Sequence, residues 1–442
     1  MNYKRAKFFV IAFMLISVLF FTSDFQLIDI EKTAIVVALG VDKKDELYNV
    51  TVQIAVPQSG DFSSGNGVAV IEAEGRTVYE AIETTAQQSG WYPELSFCNM
   101  IVFGEKAVDD NFVQLVNYLF VSGKFQNSAI LAVAEGTAEE VLKSATSLDD
   151  ISSFALQKIL LRNINRANSV TVTDVREFCA GNRSVSDVCF LPYIKRIKTD
   201  DNPKDADTGG SQGAAKGTAF ADDGAWRANM KESLLVVDSG KKPGGEAVLL
   251  SGNGSAGGGS ADGKGAGGGG QVVFDAGSSL VFSQGKRVCE FDSEQTLFYN
   301  MIYKQVHESF VSVSFSEGNK KVNSLIAVLN NKASVKLTAD NGLPVLKITL
   351  KIVCRREETD AYERLDRLTG HSEMSENEKN AVKEKGEKIL RELVDLSKSN
   401  NCDIFKLKEY VYRYMPGKYA ALKDSLLSSF TAELKVNCVN YN

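Results

Sequence analysis

The chain has 442 residues, of which 44% are hydrophobic and 24% charged, values that exclude a polytopic membrane protein and a wholly disordered chain. Lys and Arg total 50 against 56 Asp and Glu, a formal net charge of −6, so the concentrated basic surface of a nucleic-acid binder is not expected. Only two histidines occur, His307 and His371, which argues against a multi-His metal centre or a His relay. The seven cysteines (Cys98, Cys179, Cys189, Cys289, Cys354, Cys402 and Cys438) offer neither CxxC nor zinc-knuckle spacing and read as small apolar core residues.

Lys4, Arg5 and Lys7 precede an apolar run from Phe8 to Phe21, the layout of an export signal. As a helix the run would span ~21 Å at ~1.5 Å per residue, short of a hydrocarbon core of ~30 Å. Phe21-Thr22-Ser23 lacks a small-x-small cleavage site, so residues 1–23 are read as an uncleaved anchor, with a signal peptide as the alternative. Either way residue 24 onward is expected outside the cytoplasm.

Thr33 to Asp42 and Tyr48 to Pro57 predict an antiparallel hairpin, half-buried through Val50, Val52, Ile54 and Val56. Thr77 and Glu80 have capping-box spacing and open a helix that buries Val78, Ala81, Ile82, Thr85 and Ala86 and stops at Gly90. A strand over Asn99–Gly104, a helix over Phe112–Phe120 and a strand over Ser128–Ala134 follow, and Thr137 with Glu140 repeats the capping box. Mixed short strands and helices from Thr33 to Ile194 indicate α+β architecture.

From Thr199 to Gly270 the composition shifts to Gly, Ser, Ala, Asp and Lys, and eleven of the twenty residues from Ser251 to Gly270 are glycine. Such a segment has too little apolar surface to offset its ordering entropy and is read as a flexible insertion, interrupted by a possible strand at Glu232–Asp238. Structure is expected to resume with a small hairpin through Gln271–Phe274, Ser279–Phe282 and Arg287–Phe291. Asp292 and Gln295 would cap a helix running past Ile302. Strands are expected at Phe310–Phe315, Lys332–Thr338 and Val345–Val353, the last with Leu346, Ile348, Leu350 and Ile352 on one face and Lys347, Thr349 and Lys351 on the other. Val382, Ile389, Leu390, Leu393 and Leu396 predict a helix over Glu378–Ser399, and Thr431–Val439 reads as a closing strand. The fold class is therefore a multi-domain α+β protein with mixed or antiparallel sheets flanked by helices, divided as 1–23, 24–198, 199–270, 271–295 and 296–442.

Catalytic motifs fail on context. Gly209-Gly210-Ser211-Gln212-Gly213 matches a nucleophile elbow but lies in the Gly/Ser segment, where chance composition explains it. Gly252 to Gly257 fits GxGxxG, but further glycines follow where the fingerprint needs a helix. The acidic pairs Glu139-Glu140 and Asp149-Asp150 sit at helix starts, where the macrodipole favours them. His307 is expected near the C-terminal end of a helix and His371 in a charged surface loop. Trp91-Tyr92-Pro93 and Tyr410 to Tyr414 are equally candidates for exposed aromatic contacts or for core and boundary residues. No catalytic, cofactor-binding or metal-ligating residue is assigned.

The order of segments carries a resemblance. Ala34 to Lys43 followed by Tyr48 to Ile54 resembles the opening of the Ger(x)C family, the C subunits of spore-germination nutrient receptors. Gly75 to Ile82, Leu95 to Glu105, Phe190 to Ile194, Ser279 to Val288, and Cys402-Asp403-Ile404-Phe405 before Tyr412 and Tyr414 are similar to later family segments in the same order. Family members are typically lipoproteins with a cysteine just after the signal, whereas here Thr22-Ser23-Asp24-Phe25-Gln26 offers none and the first cysteine is Cys98, so lipidation is not expected. The resemblance implies a non-enzymatic subunit tethered to the outer face of the spore inner membrane, acting beside the receptor's A and B membrane subunits. The rival readings are an extracytoplasmic solute- or cell-wall-binding module and, more remotely, a hydrolase using Ser or Asp.

Overall fold

The computed structural model describes residues 3–21, 33–55, 68–109, 111–144, 146, 151–198, 272–318, 320–340, 343–360 and 373–441. The rejected glycine motifs, Ser211, Asp149-Asp150, Glu232–Asp238, the insertion and His371 lie outside these residues.

The first element is helix α1 (Tyr3–Phe21), whose Phe9, Phe13 and Met14 side chains are exposed. Among the described residues no helix is long and apolar enough to cross a membrane.

Strands β1 (Thr33–Lys44) and β2 (Leu47–Ala55) pair antiparallel across a tight turn in which Asp45 takes the left-handed conformation. β3 (Val68–Gly75) adds antiparallel to β2. Helix α2 (Val78–Ser89) starts at Thr77, whose hydroxyl accepts from the Glu80 N–H at 3.1 Å, and stops at Gly90 with φ +72°. The return half of the predicted capping box is displaced by one residue, because the Glu80 carboxylate accepts from the Arg76 N–H at 2.8 Å. Then come β4 (Tyr92–Glu94), β5 (Met100–Gly104), α3 (Phe112–Ser122), β6 (Ile130–Ala134), α4 (Ala138–Lys143), α5 (Ser152–Arg162), β7 (Thr173–Asp174), α6 (Val175–Asn182) and β8 (Val188–Lys198). β9 (Val272–Ser283) and β10 (Lys286–Phe291) form a hairpin that extends this same sheet through β8.

The main path of this ten-stranded sheet is β10-β9-β8-β6-β5-β1-β2-β3, with β4 on β1 and β7 on β6. Its centre, β1-β5-β6-β8, is parallel and covered on both faces. Alternation along β5 divides the core. Ile101 and Phe103 pack with α2, α3 and α6 on one side, and Met100 and Val102 with α4 and α5 on the other. β2 is also buried on both faces, contrary to the half-buried reading. Thr51 and Gln53 lie inside, and the Gln53 amide donates to the Leu142 carbonyl at 3.3 Å and Ser152 Oγ at 3.1 Å.

Asp292 caps helix α7 (Ser293–Tyr303) with the full reciprocal box to Gln295. His307 is not on this helix, which ends at Tyr303. Asn331 explains the stop: its amide donates to the carbonyls of Met301 and Lys304, and its carbonyl accepts from the Val306 N–H at 2.7 Å. A second, four-stranded sheet follows in the order β11 (Ser309–Glu317), β12 (Lys320–Asp340), β13 (Leu343–Thr359) and β14 (Thr431–Asn440). β14 runs parallel to β13, which requires the crossover supplied by α8 (Glu376–Ser399), α9 (Leu407–Tyr414), α10 (Pro416–Leu422) and α11 (Leu426–Ser429). α8 buries Val382, Ile389, Leu390, Leu393 and Val394 against the inner face, each side chain contributing about 1.5–3 kcal/mol of apolar burial. Gly386 lets it approach closely, since a Cβ there would come within 2.8 Å of the Phe298 ring. The described parts of Met1–Asp200 and Gly269–Asn442, with both sheets, form one compact unit.

Candidate functional site

Two segments that carried the family resemblance prove to hold the same structural device. In the first, the Asp42 carboxylate accepts from the Ala138 N–H at 2.7 Å and the Glu139 N–H at 2.9 Å, capping α4 from a strand far away in sequence. Gly104 leaves room for it, because a Cβ at that position would collide with Asp42 Oδ1. Burial pushes the Asp42 carboxyl up, partly opposed by these two backbone hydrogen bonds. In the second, Asp403 accepts from the Leu407 N–H at 2.7 Å and the Lys408 N–H at 2.8 Å, at the start of α9. Burial again pushes the carboxyl up, against hydrogen bonds from Ser186, Lys408 and Leu407. Both aspartates are committed to helix termini and leave no reactive carboxylate facing solvent.

The buried thiols are equally inert. Burial pushes Cys98 and Cys189 up to about 12, far from the depressed range of a nucleophilic cysteine. Cys354 is raised by its hydrogen-bonding neighbour Cys438 and by burial. All seven cysteines are free thiols, five of them buried. His307 is exposed, in the loop after α7, and joins no cluster. Among the described residues no group of His, Cys, Asp and Glu side chains could hold a metal ion.

A depression of about 640 Å³ lies where α6 and β8 meet α7 and α9, and Thr171, Asn300, Tyr303, Lys304, Lys406 and Arg413 help to line it. Its polar groups largely satisfy one another. Thr171 donates from its hydroxyl to Asn300 Oδ1 at 3.3 Å, and the Asn300 amide donates to the Asn168 carbonyl at 2.9 Å and the Val170 carbonyl at 3.4 Å. Arg413 pairs with Glu409, and the Lys406 ammonium sits 5.7 Å from the centre of the Tyr303 ring. These contacts tie α7 to residues 168–171 and the start of α9 to α7.

What projects outward is aromatic. Trp91 is 48% exposed and Tyr92 56%, at the end of α2, with Phe97 nearby in sequence and also exposed. Tyr92 rims a shallow depression of about 300 Å³ between α2 and the end of α3. On α9, Tyr412 and Tyr414 are exposed, while Tyr410 is partly buried against the core. Tyr410 and Tyr414 meet in a tilted contact at 4.8 Å and Tyr412 meets Tyr419 edge-on at 5.3 Å, so both exposed rings have an aromatic neighbour. Sequence flagged both groups, but exposure depends on the tertiary fold. Exposed aromatics with no reactive group beside them suit a protein contact.

Comparison with known proteins agrees with the segment order. Residues 26–196 match the family described as spore germination protein N-terminal domain, and residues 277–439 match spore germination B3/GerAC like, C-terminal. The chain belongs to the Ger(x)C family. Both matched domains are spore germination domains, so this is a spore germination protein. Spore germination protein KC of Bacillus subtilis (strain 168) is 26% identical over 182 residues, which cover 38% of this chain and 45% of that relative. The chain thus matches less than half of that relative's length. A crystal structure of the GerBC protein is similar over 91% of this chain and 97% of its own, at 14% identity and a TM-score of 0.45.

Proposed function

We propose that this Ger(x)C protein is the C subunit of a spore nutrient germinant receptor, held at the extracytoplasmic face of the spore inner membrane and working by contact with the receptor's A and B membrane subunits. The observation that carries the reading is the succession of two spore-germination domains on one chain, residues 26–196 and 277–439. Support comes from a fold whose buried carboxylates and thiols are committed to structure and whose exposed aromatics, Trp91, Tyr92, Tyr412 and Tyr414, are of the type enriched at interfaces. The basic-then-apolar helix α1 is the candidate tether, and confinement to two dimensions raises the effective concentration of membrane partners.

Deleting the gene tests this. Spores are expected to lose the response to the cognate nutrient, and to regain it on complementation with the native chain. Complementation by a Tyr412→Ala, Tyr414→Ala double variant should be weaker at unchanged melting temperature. Normal nutrient germination of deletion spores across a full nutrient panel would overturn the proposal.

A further inference from the structure

The outer face of the second sheet carries a lysine grid. Along β12, Ala333, Val335 and Leu337 pack toward the core, so Lys332, Ser334, Lys336 and Thr338 face outward. Along β13, Leu346, Ile348, Leu350 and Ile352 face the core and Lys347, Thr349 and Lys351 face outward. The register sets Lys332 directly opposite Lys351 and Lys336 directly opposite Lys347. Lys435 of β14 lies beside Thr349, adding a fifth lysine. Glu433 pairs with Lys347 at 2.8 Å, and among the described residues Lys332, Lys336, Lys351 and Lys435 have no carboxylate partner.

Like charges directly opposite on a sheet face repel. Glu433 partly relieves the Lys336–Lys347 pair, whereas among the described residues no carboxylate relieves Lys332–Lys351, which weakens the sheet unless something anionic neutralises it. Lysines on an edge strand discourage strand addition, but β13 is an internal strand, paired on both sides. The grid also opposes the overall balance of the chain, whose net charge is −6. Around the central lysines this face carries Ser334, Thr338 and Thr349 with one carboxylate, Glu433, and no aromatic. Lysine is depleted at protein–protein interface cores, whereas it is the usual contact for anionic lipid headgroups. A second membrane contact also has a physical role here, because α1 includes Lys4, Arg5 and Lys7 and falls short of a membrane-crossing helix. Weak single anchors become stable when paired with a basic patch.

We infer that the outward face of β12–β13–β14, centred on Lys332, Lys336, Lys347 and Lys351, docks on an anionic phospholipid surface. This rests on the membrane-associated reading above and specifies which face meets the bilayer.

The test is binding of the full chain to phosphatidylcholine vesicles with and without phosphatidylglycerol. The native chain should favour the anionic vesicles, with the preference fading as salt is raised. A quadruple Lys→Gln variant at the four positions should bind anionic vesicles roughly 100-fold more weakly and keep whatever affinity α1 gives for neutral ones. The matching Lys→Arg variant should retain the preference. Melting of the Gln variant, unchanged or raised because the facing charges are gone, would show that it folds. An unchanged affinity of the folded Gln variant for anionic vesicles overturns the docking face while sparing the α1 tether. Lysine-dependent binding to isolated A or B subunits without lipid preference would overturn it in favour of a protein partner. Failure of the native chain to bind either vesicle would defeat both the docking face and the membrane reading.

Discussion

The two sheets bury their strands differently, and the difference decides where function can lie. In the first sheet the parallel centre is covered on both faces, so β5 and β6 are apolar almost throughout. Polar groups caught inside it, such as Gln53 and Asp42, are taken up by internal hydrogen bonds to backbone, helix ends and Ser152. The second sheet packs one face on α7 and α8 and leaves the other to the exterior, so its strands alternate and half their side chains are free to meet a partner. The first sheet therefore acts as a rigid support that presents groups at its margins, and the second offers an entire face.

Substitutions can break this comparison. The largest losses are expected at the centres of the two cores. Phe112 touches Phe103, Phe178 and Phe282 at ring distances of 4.9, 5.3 and 5.1 Å, so Phe112→Ala should cost about 3–5 kcal/mol in denaturant unfolding. In the second sheet Arg356 and Glu378 form a bidentate pair at 2.6–2.7 Å, with side chains only 8% and 1% exposed. Arg356→Met strands a buried carboxylate and should cost a similar ~3–5 kcal/mol. A much smaller loss at either position would mean that the corresponding core is not assembled as described.

Intermediate effects are expected at the helix-capping carboxylates, with pH separating them. Asp403→Ala removes the acceptor of two N–H groups and should cost about 1–3 kcal/mol. For Glu378, desolvation raises the carboxyl, but hydrogen bonds from Arg356 and the Ser375 N–H outweigh it and leave it below its ordinary 4.5. Its stabilisation is thus complete above 4.5 and is lost as pH falls through the lower folded value. Asp42 and Asp403 have the opposite sign. Their folded carboxyls lie above 3.8, so the native state binds the proton more readily and gains stability as pH falls from the folded value toward 3.8. In acid titrations of stability, the deficit of Glu378→Gln should shrink with falling pH, whereas Asp42→Asn should lose stability more steeply than the native chain. The reverse order would contradict the burial assigned to these groups.

The smallest effect sharpens the open face. Lys332→Thr removes the like-charge pair with Lys351 and should stabilise the isolated protein by about 0.2–1 kcal/mol. Destabilisation would mean that the lysines are already neutralised by another part of the chain.

Legibility in the sequence followed the same division. Alternation from Leu346 to Ile352 identified the inward face of β13, and hydroxyl or carboxylate caps at Thr77, Thr137 and Asp292 located three helix starts, because these signals act within four residues. The first half of β12, Lys320 to Val328, was not anticipated. Its lysines, Asn323 and Ser324 have weak strand preference, and it is held by pairing with β11 on one side and β13 on the other. The end of α7 was set by Asn331, a residue on a later strand, and so displaced His307 from the helix. The outward lysines of β13 were readable, but their juxtaposition with Lys332 and Lys336 required the register. The aromatic candidates were visible as residue types, while only packing distinguished exposed Tyr412 and Tyr414 from half-buried Tyr410.

The most direct test of the central claim is affinity purification of the full chain from detergent-solubilised spore inner membranes. The expected result is co-elution with two polytopic membrane subunits in fixed ratio, and loss of that co-elution from spores lacking either subunit. Recovery of the chain alone, in the soluble fraction of broken spores, would contradict its role as a receptor subunit.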